Sequence, residues 1–338
     1  MTVAAELAAA QQALGRALRF DEFLSTALYG EHGFYSAGGQ AGRRGDFITS
    51  PEVGPLFGAV LARWIDAEFD RLGRPDEFRI VEAGAGPGTL ARTVLLAAPQ
   101  WAGRYTTVEI AAAQRAGHPE SVTPRATMPS EPVIGVVIAN ELLDNLPFRL
   151  AVFDGGWREA VVHVGTDGVC SEQLVTAPPE WAQRLPAHAA HGSRAPMQEA
   201  AGNWVVAARS LLTTGSVLTI DYCVARTAGL VLRPWREWLR TYRGHERGSH
   251  YLRDVGLQDI TVEVCLDQLP EPDAVRTQAQ FLQRWGIDEL VEQGRAAWEA
   301  AAGAPNLAAL RMRSRVREAE SLLAADGLGG FIVSEWRS

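Results

Sequence analysis

The chain has 338 residues, a formal net charge of −8 and 47% hydrophobic residues, enough apolar material for a full core without metals or disulfides. The acidic balance argues against a nucleic-acid backbone as main partner, because phosphate binding needs a basic face, and no apolar run approaches the roughly 20 residues of a membrane-spanning helix. Cys170, Cys223 and Cys265 lie far apart with no C-x-x-C pair, so neither a disulfide framework nor a metal site is expected, and a reducing, cytoplasmic setting fits.

In chain order, the Ala- and Leu-rich residues 3–18 read as a helix; without a basic leader region they do not read as a signal peptide. A second short helix is expected over 21–28. The glycine-rich stretch 29–54 cannot hold a long regular element, yet Tyr29, Phe34, Tyr35 and Phe47 make it too apolar for a linker. It is expected to be an ordered loop lying over something. Ser50, Pro51 and Glu52 read as N-cap, first helical residue and a dipole-compensating acid of a helix that runs to Gly73. Phe78, Ile80 and Val81 then form a buried strand, followed by Glu82, three alternate glycines (Gly84, Gly86, Gly88) and a helical pattern from Thr89. Residues 105–109 (YTTVE) and 135–139 (GVVIA) read as further strands, and 149–175 as an inserted antiparallel meander with turns at Asp154-Gly155 and Asp167-Gly168. A helix over 197–212, a strand over 216–222, an Arg-rich and partly mobile stretch over 226–249, a strand over 259–264, helices over 274–285, 287–301 and 307–324, and a closing strand over 331–336 complete the expectation.

Strand, glycine turn and helix present backbone N–H groups and a helix N-terminus to a ligand, and glycine keeps that approach free of Cβ atoms. A dinucleotide turn usually reads G-x-G-x-x-G. Here the third glycine comes one position early and Glu82 stands two positions before the first, a form that resembles motif I of class I S-adenosylmethionine methyltransferases. Glu82 is placed to serve the cationic amino-acid end of that cofactor. Glu109 falls 21 positions after Gly88, where an acid at the end of the second strand holds a ribose diol. Asn140, Glu141 and Asp144 follow the 135–139 strand and point at the same crevice, although Asn140 also suits a helix cap. No His, Asp and Glu grouping has metal-ligand spacing, so no metal is expected.

The blocks GDFITSPEVGPLFG (45–58), VEAGAGPGTL (81–90), VEI (108–110), ANELLDNLP (139–147), IDY (220–222) and LRDVGLQDITVEV (252–264) resemble the MidA family of methyltransferases, related to the mitochondrial complex I assembly-factor arginine methyltransferases. The resemblance implies an α/β fold: a Rossmann-like class I sheet with N-terminal helices and a glycine-rich lid (1–50), a SAM-binding core (51–225) carrying the meander, and a partly helical substrate or cap region (226–338) that returns one strand to the core. It implies S-adenosyl-L-methionine as cofactor, held by Gly84, Gly86, Gly88, Glu109 and Asn140, with Asp46, Phe47 and Thr49 closing over it. It implies a protein substrate, an arginine of a respiratory-chain subunit. The chain departs from the family pattern at Pro87, where Arg is frequent, and at Asn145, where Ala is usual.

A guanidinium must lose a proton to become a nucleophile, and paired carboxylates would orient it and accept that proton. Glu141 and Asp144, with Asp46 from the lid, are the candidates for this catalytic work. Two alternatives are a SAM-binding assembly factor without turnover and, less favoured by the glycine spacing, an NAD-dependent oxidoreductase.

Overall fold

A computed structural model describes residues 2–36, 49–244, 246–304 and 306–338. Its centre is a seven-stranded sheet: β1 (Phe78–Ala83), β2 (Tyr105–Val108), β3 (Thr123–Arg125), β4 (Val133–Asn140), β5 (Leu212–Asp221), β6 (Ala274–Thr277) and β7 (Ile332–Arg337). The spatial order is β3-β2-β1-β4-β5-β7-β6, with β7 antiparallel to both neighbours and the other pairings parallel. The chain enters at β1, winds outward through β2 and β3, and returns to the opposite side of β1 as β4. That reversal opens a crevice at the carboxyl ends of β1 and β4.

Alternate residues of the central strands feed two cores, as a sheet covered on both faces requires. Ile80, Val136, Ile138, Leu218 and Ile220 pack under the helices Pro55–Arg71, Thr89–Ala97, Gln278–Arg284, Ile287–Ala300 and Leu307–Leu323. Val81, Val137 and Val217 pack under the helix Glu199–Leu211 through Ala201, Val205 and Ala208. A third cluster joins the N-terminal helices Val3–Leu14 and Phe20–Tyr29 to an antiparallel sheet. The meander expected over 149–175 is the middle of that sheet: Arg149–Phe153, Trp157–Val164 and Cys170–Thr176 are joined by Leu18–Arg19 and Arg194–Met197.

Several boundaries differ from the sequence reading. The first helix stops at Leu14 because Gly15 adopts φ +64° and closes it. Thr49, not Ser50, occupies the N-cap position of the third; Ser50 lies inside the helix with its hydroxyl donating to Gln278 Oε1 at 2.8 Å. That helix also breaks after Val53 and restarts at Pro55, whose ring disfavours a helical Gly54 before it. Residues 274–277 are strand β6, not helix: Thr277 ends the strand and caps the helix, accepting from the Gln280 amide at 3.2 Å. Met197 likewise belongs to a strand, and its helix begins at Glu199. The Arg-rich stretch is built from a short helix, a 3-10 turn and a hairpin, with Arg233 and Arg240 both paired to Glu263.

Candidate functional site

The loop after β1 carries three left-handed residues in alternation, Gly84 (φ +67°), Gly86 (φ +52°) and Gly88 (φ +75°), a backbone path closed to most L side chains. A Cβ on Gly84 would sit 3.0 Å from Leu142 Cδ1 and one on Gly88 would sit 2.9 Å from the His118 ring. His118 in turn contacts the Gly86 carbonyl oxygen through Nε2 and Thr107 Oγ1 through Nδ1, both at 2.8 Å, fastening the loop to β2. Glu109, one residue past β2, accepts from the Gly86 amide at 2.9 Å and from the Ala111 amide at 2.8 Å. The carboxylate expected across from the glycines is thus in direct contact with them.

At the reversal point lies a cavity of about 570 Å³. Its wall takes in the glycine loop, Thr49, Asn140, Glu141 and, on an apolar side, Val108, Ile110, Met128 and Trp204. Ile110 is 55% exposed, high for a large apolar side chain, and it stands next to Glu109 on this wall. Four carboxyls border the cavity (Glu52, Glu82, Glu109 and Glu141), and among the described residues no Arg or His borders it. The described wall thus carries acidic side chains and no basic one, a lining that favours a cationic ligand once its acids are ionised.

Burial raises two of these acids. Glu82, 4% exposed, accepts from Tyr105 Oη at 2.8 Å, and desolvation pushes its carboxyl to about 8. Glu141 is also pushed to about 8, by desolvation first and the nearby Asp144 second, although Ser50 N at 3.3 Å and Asn140 Nδ2 at 3.1 Å both donate to it. Glu141 adopts φ +51°, a left-handed conformation that a non-glycine residue holds only where the surroundings impose it, and such positions cluster at functional sites.

Asp144 is placed differently. It is 2% exposed and absent from the cavity wall; Thr261 Oγ1 donates to it at 2.6 Å, Asn145 Nδ2 at 3.2 Å, and Tyr222 Oη also donates to it. Burial raises its carboxyl and, more strongly, that of Asp221 beside it. Its geometry makes it a buried tie between the 143–145 turn and the Asp259–Val262 strand. Asp46 and Phe47 lie outside the described residues. Among the described residues, nothing from 226–249 borders the cavity.

Several wall residues belong to no motif that marks them for the cavity. Tyr29 and Tyr35 arrive from the N-terminal helix and the turn after it, Trp204 from the helix before β5, and Met128 from the segment after β3. Tyr29 and Tyr35 were readable as ordered; what they cover was not, because their partners stand more than a hundred positions away. One His-containing group with metal-ligand proximity does form. Glu6, Glu31 and His32 bring ligand atoms within 4.8 Å of one another, invisible from spacing because Glu6 is 26 positions from His32. Glu6 accepts from the His32 amide at 3.0 Å and touches its ring, a tie between helix and turn, and none of the three borders the cavity.

A doubly wound sheet with the order β3-β2-β1-β4-β5-β7-β6, an alternating glycine loop and an acid on the next strand define a class I methyltransferase. Residues 60–283 match the family model described as "Putative S-adenosyl-L-methionine-dependent methyltransferase", and the chain belongs to that family. The chain is 31% identical over 173 residues to "Protein arginine methyltransferase NDUFAF7 homolog, mitochondrial" of Drosophila melanogaster, covering 41% of this chain and 40% of that protein. It is 23% identical over 306 residues to the Danio rerio protein arginine methyltransferase NDUFAF7, covering 77% of this chain and 71% of that one. The stretch matched in the fruit-fly relative is therefore less than half of that protein's length. A solved superfamily member from Burkholderia thailandensis, bound to S-adenosyl-homocysteine, superposes with a TM-score of 0.81 at 25% identity over 99% of this chain and 92% of that one. A native structure from the same organism gives 0.79 at 25% identity, covering 99% and 91%. The cofactor is S-adenosyl-L-methionine, and the wall residues fit it: left-handed glycines where a Cβ would crowd, a carboxylate beside them, and, among the described residues, no basic group to repel a sulfonium.

Proposed function

We propose that the chain methylates an arginine side chain of a protein, a respiratory-chain subunit being the acceptor the family resemblance implies. The observation that carries this reading is the set of carboxyls, Glu52, Glu82, Glu109 and Glu141, on a cavity wall that holds no basic side chain among the described residues. The cofactor brings a methyl group on a cationic sulfonium, and its transfer leaves a neutral thioether. Glu109 is assigned to the ribose and Glu82 to the ammonium of the cofactor's amino-acid end, with Gly84, Gly86, Gly88, Asn140 and Thr49 shaping the space around it. Glu52 and Glu141 are left over, and a second cation, the guanidinium, is what they suit.

Glu141 is assigned as the proton acceptor. With its carboxyl at about 8 in the ligand-free pocket it is protonated at neutral pH, and two incoming cations favour its ionised form. Once ionised it orients the guanidinium, takes one proton from it and frees the nitrogen lone pair that attacks the methyl carbon as the carbon–sulfur bond pair returns to sulfur. Positioning of this kind is worth roughly 7–11 kcal/mol. Names of relatives at modest identity support the acceptor class.

Incubation with methyl-labelled S-adenosyl-L-methionine and a lysate from the source organism is expected to label one protein band, with hydrolysis yielding methylarginine. Glu141→Gln is expected to lower turnover by a hundredfold or more, in the range of general-base catalysis, with S-adenosylhomocysteine affinity kept within a fewfold. Label on another residue type sinks the arginine reading. No label at all, with the cofactor still bound, favours a non-catalytic assembly factor.

A further inference from the structure

Two aromatic rings on the cavity wall are given no role in the reading above. Tyr29, at the end of the helix Phe20–Tyr29, and Tyr35 stack with ring centroids 5.5 Å apart and planes 15° from parallel. Each hydroxyl is anchored outside the stack: Tyr29 Oη donates to the Asn145 carbonyl oxygen at 2.9 Å and Tyr35 Oη to Asp259 Oδ1 at 3.0 Å. Tyr35 is also braced edge-on by Phe34, centroids 5.1 Å apart at 77°. The rings are therefore fixed in place, half-buried, and both border the cavity.

Their position follows from the sheet order. Glu109 stands at the end of β2, the glycine loop at the end of β1, and Asn140 to Asn145 at the end of β4. Two strand spacings of about 4.8 Å separate the ribose side from the β4 side. Tyr29 is tied to Asn145, on the β4 side, where Glu141 borders the cavity too. A ring face carries negative potential, attracts cations, and prefers the flat guanidinium because the two planes can stack.

We propose that Tyr29 and Tyr35 form an aromatic platform that receives the cationic group of the methyl acceptor beside Glu141. The inference rests on the acceptor reading given above for the identity of that cation. The ring pair supplies selectivity for a flat cation, and the carboxyl supplies charge and the proton acceptor.

The test uses the full chain saturated with S-adenosylhomocysteine and titrated by calorimetry with N-acetylarginine amide and, separately, N-acetyllysine amide. The arginine probe is expected to bind better than the lysine probe. Tyr29→Phe and Tyr35→Phe, which keep the ring and remove the hydroxyl, are expected to hold the arginine probe within about threefold of the parent. Tyr29→Leu and Tyr35→Leu are expected to weaken it about tenfold, in the range of cation–π contributions. S-adenosylhomocysteine affinity, unchanged across the four variants, reports that the fold and cofactor half are intact. Leu variants that bind like the parent overturn the platform. So do Phe variants that lose as much as Leu variants, a cofactor affinity that falls in step, or a parent that binds neither cation. A parent that prefers the lysine probe and releases it in the Leu variants removes the arginine reading and leaves the platform standing.

Discussion

Glu82 ties the stability of the fold to protons. Its folded-state carboxyl lies near 8, against an ordinary value of 4.5, because burial disfavours the charged form. The folded protein then holds a proton that the unfolded chain releases, so stability falls as pH rises between those two values and levels off above them. Glu82→Gln removes that penalty. Its gain in thermal stability without ligand is expected to be near zero at pH 4, to grow to a few kcal/mol by pH 8, and to stay flat beyond. A variant that melts below the parent at pH 8.5 refutes the assignment. If the cofactor's ammonium meets this carboxyl, binding must also expel the proton. Titrations of S-adenosylhomocysteine between pH 6 and 8, in buffers of different ionisation enthalpy, are expected to show proton release in the parent and much less in the Gln variant.

At the scale of elements, the glycine loop, β2 and the segment carrying His118 act as one unit. Gly88→Ala meets two obstacles: a left-handed backbone at φ +75°, costing roughly 1–2 kcal/mol for an L side chain, and a His118 ring 2.9 Å from the new methyl. Displacing that ring releases its contacts to the Gly86 carbonyl oxygen and Thr107. Cofactor affinity is expected to fall more than tenfold while the melting temperature drops only a few degrees, measured by calorimetry and thermal unfolding. The central strands β1, β2, β4 and β5 and the glycine loop were legible because apolar runs and alternate glycines are local patterns. Glu109 was legible because strand, helix and strand of ordinary length fix its spacing. Asp144 misled: its spacing after β4 suits a crevice residue, but Thr261 and Tyr222, contributed by distant segments, draw it into the interior. The 274–285 stretch misled as well, because only pairing with β7 distinguishes its first four residues from a helix start.

Across the whole molecule, the cavity is a seam. One wall belongs to the wound sheet and its helices, and the other to the N-terminal helix and turn that pack with the antiparallel sheet. That second wall was illegible because its partners are remote in sequence. A ligand in the seam touches both bodies of packing, so S-adenosylhomocysteine at a hundred times its dissociation constant is expected to stabilise the chain by about 2.7 kcal/mol and to sharpen unfolding into one transition. NAD at the same concentration is expected to leave the transition where it was. Separate transitions that respond unequally to the ligand show that only one wall meets it.

The carboxyl-lined wall also bears on how turnover ends. Before transfer the donor carries a sulfonium charge; afterwards its sulfur is neutral, while the same carboxyl side chains stand around it. The same surroundings that draw in fresh donor thus lose part of their grip on the spent one, a built-in bias toward release that weakens as salt screens it.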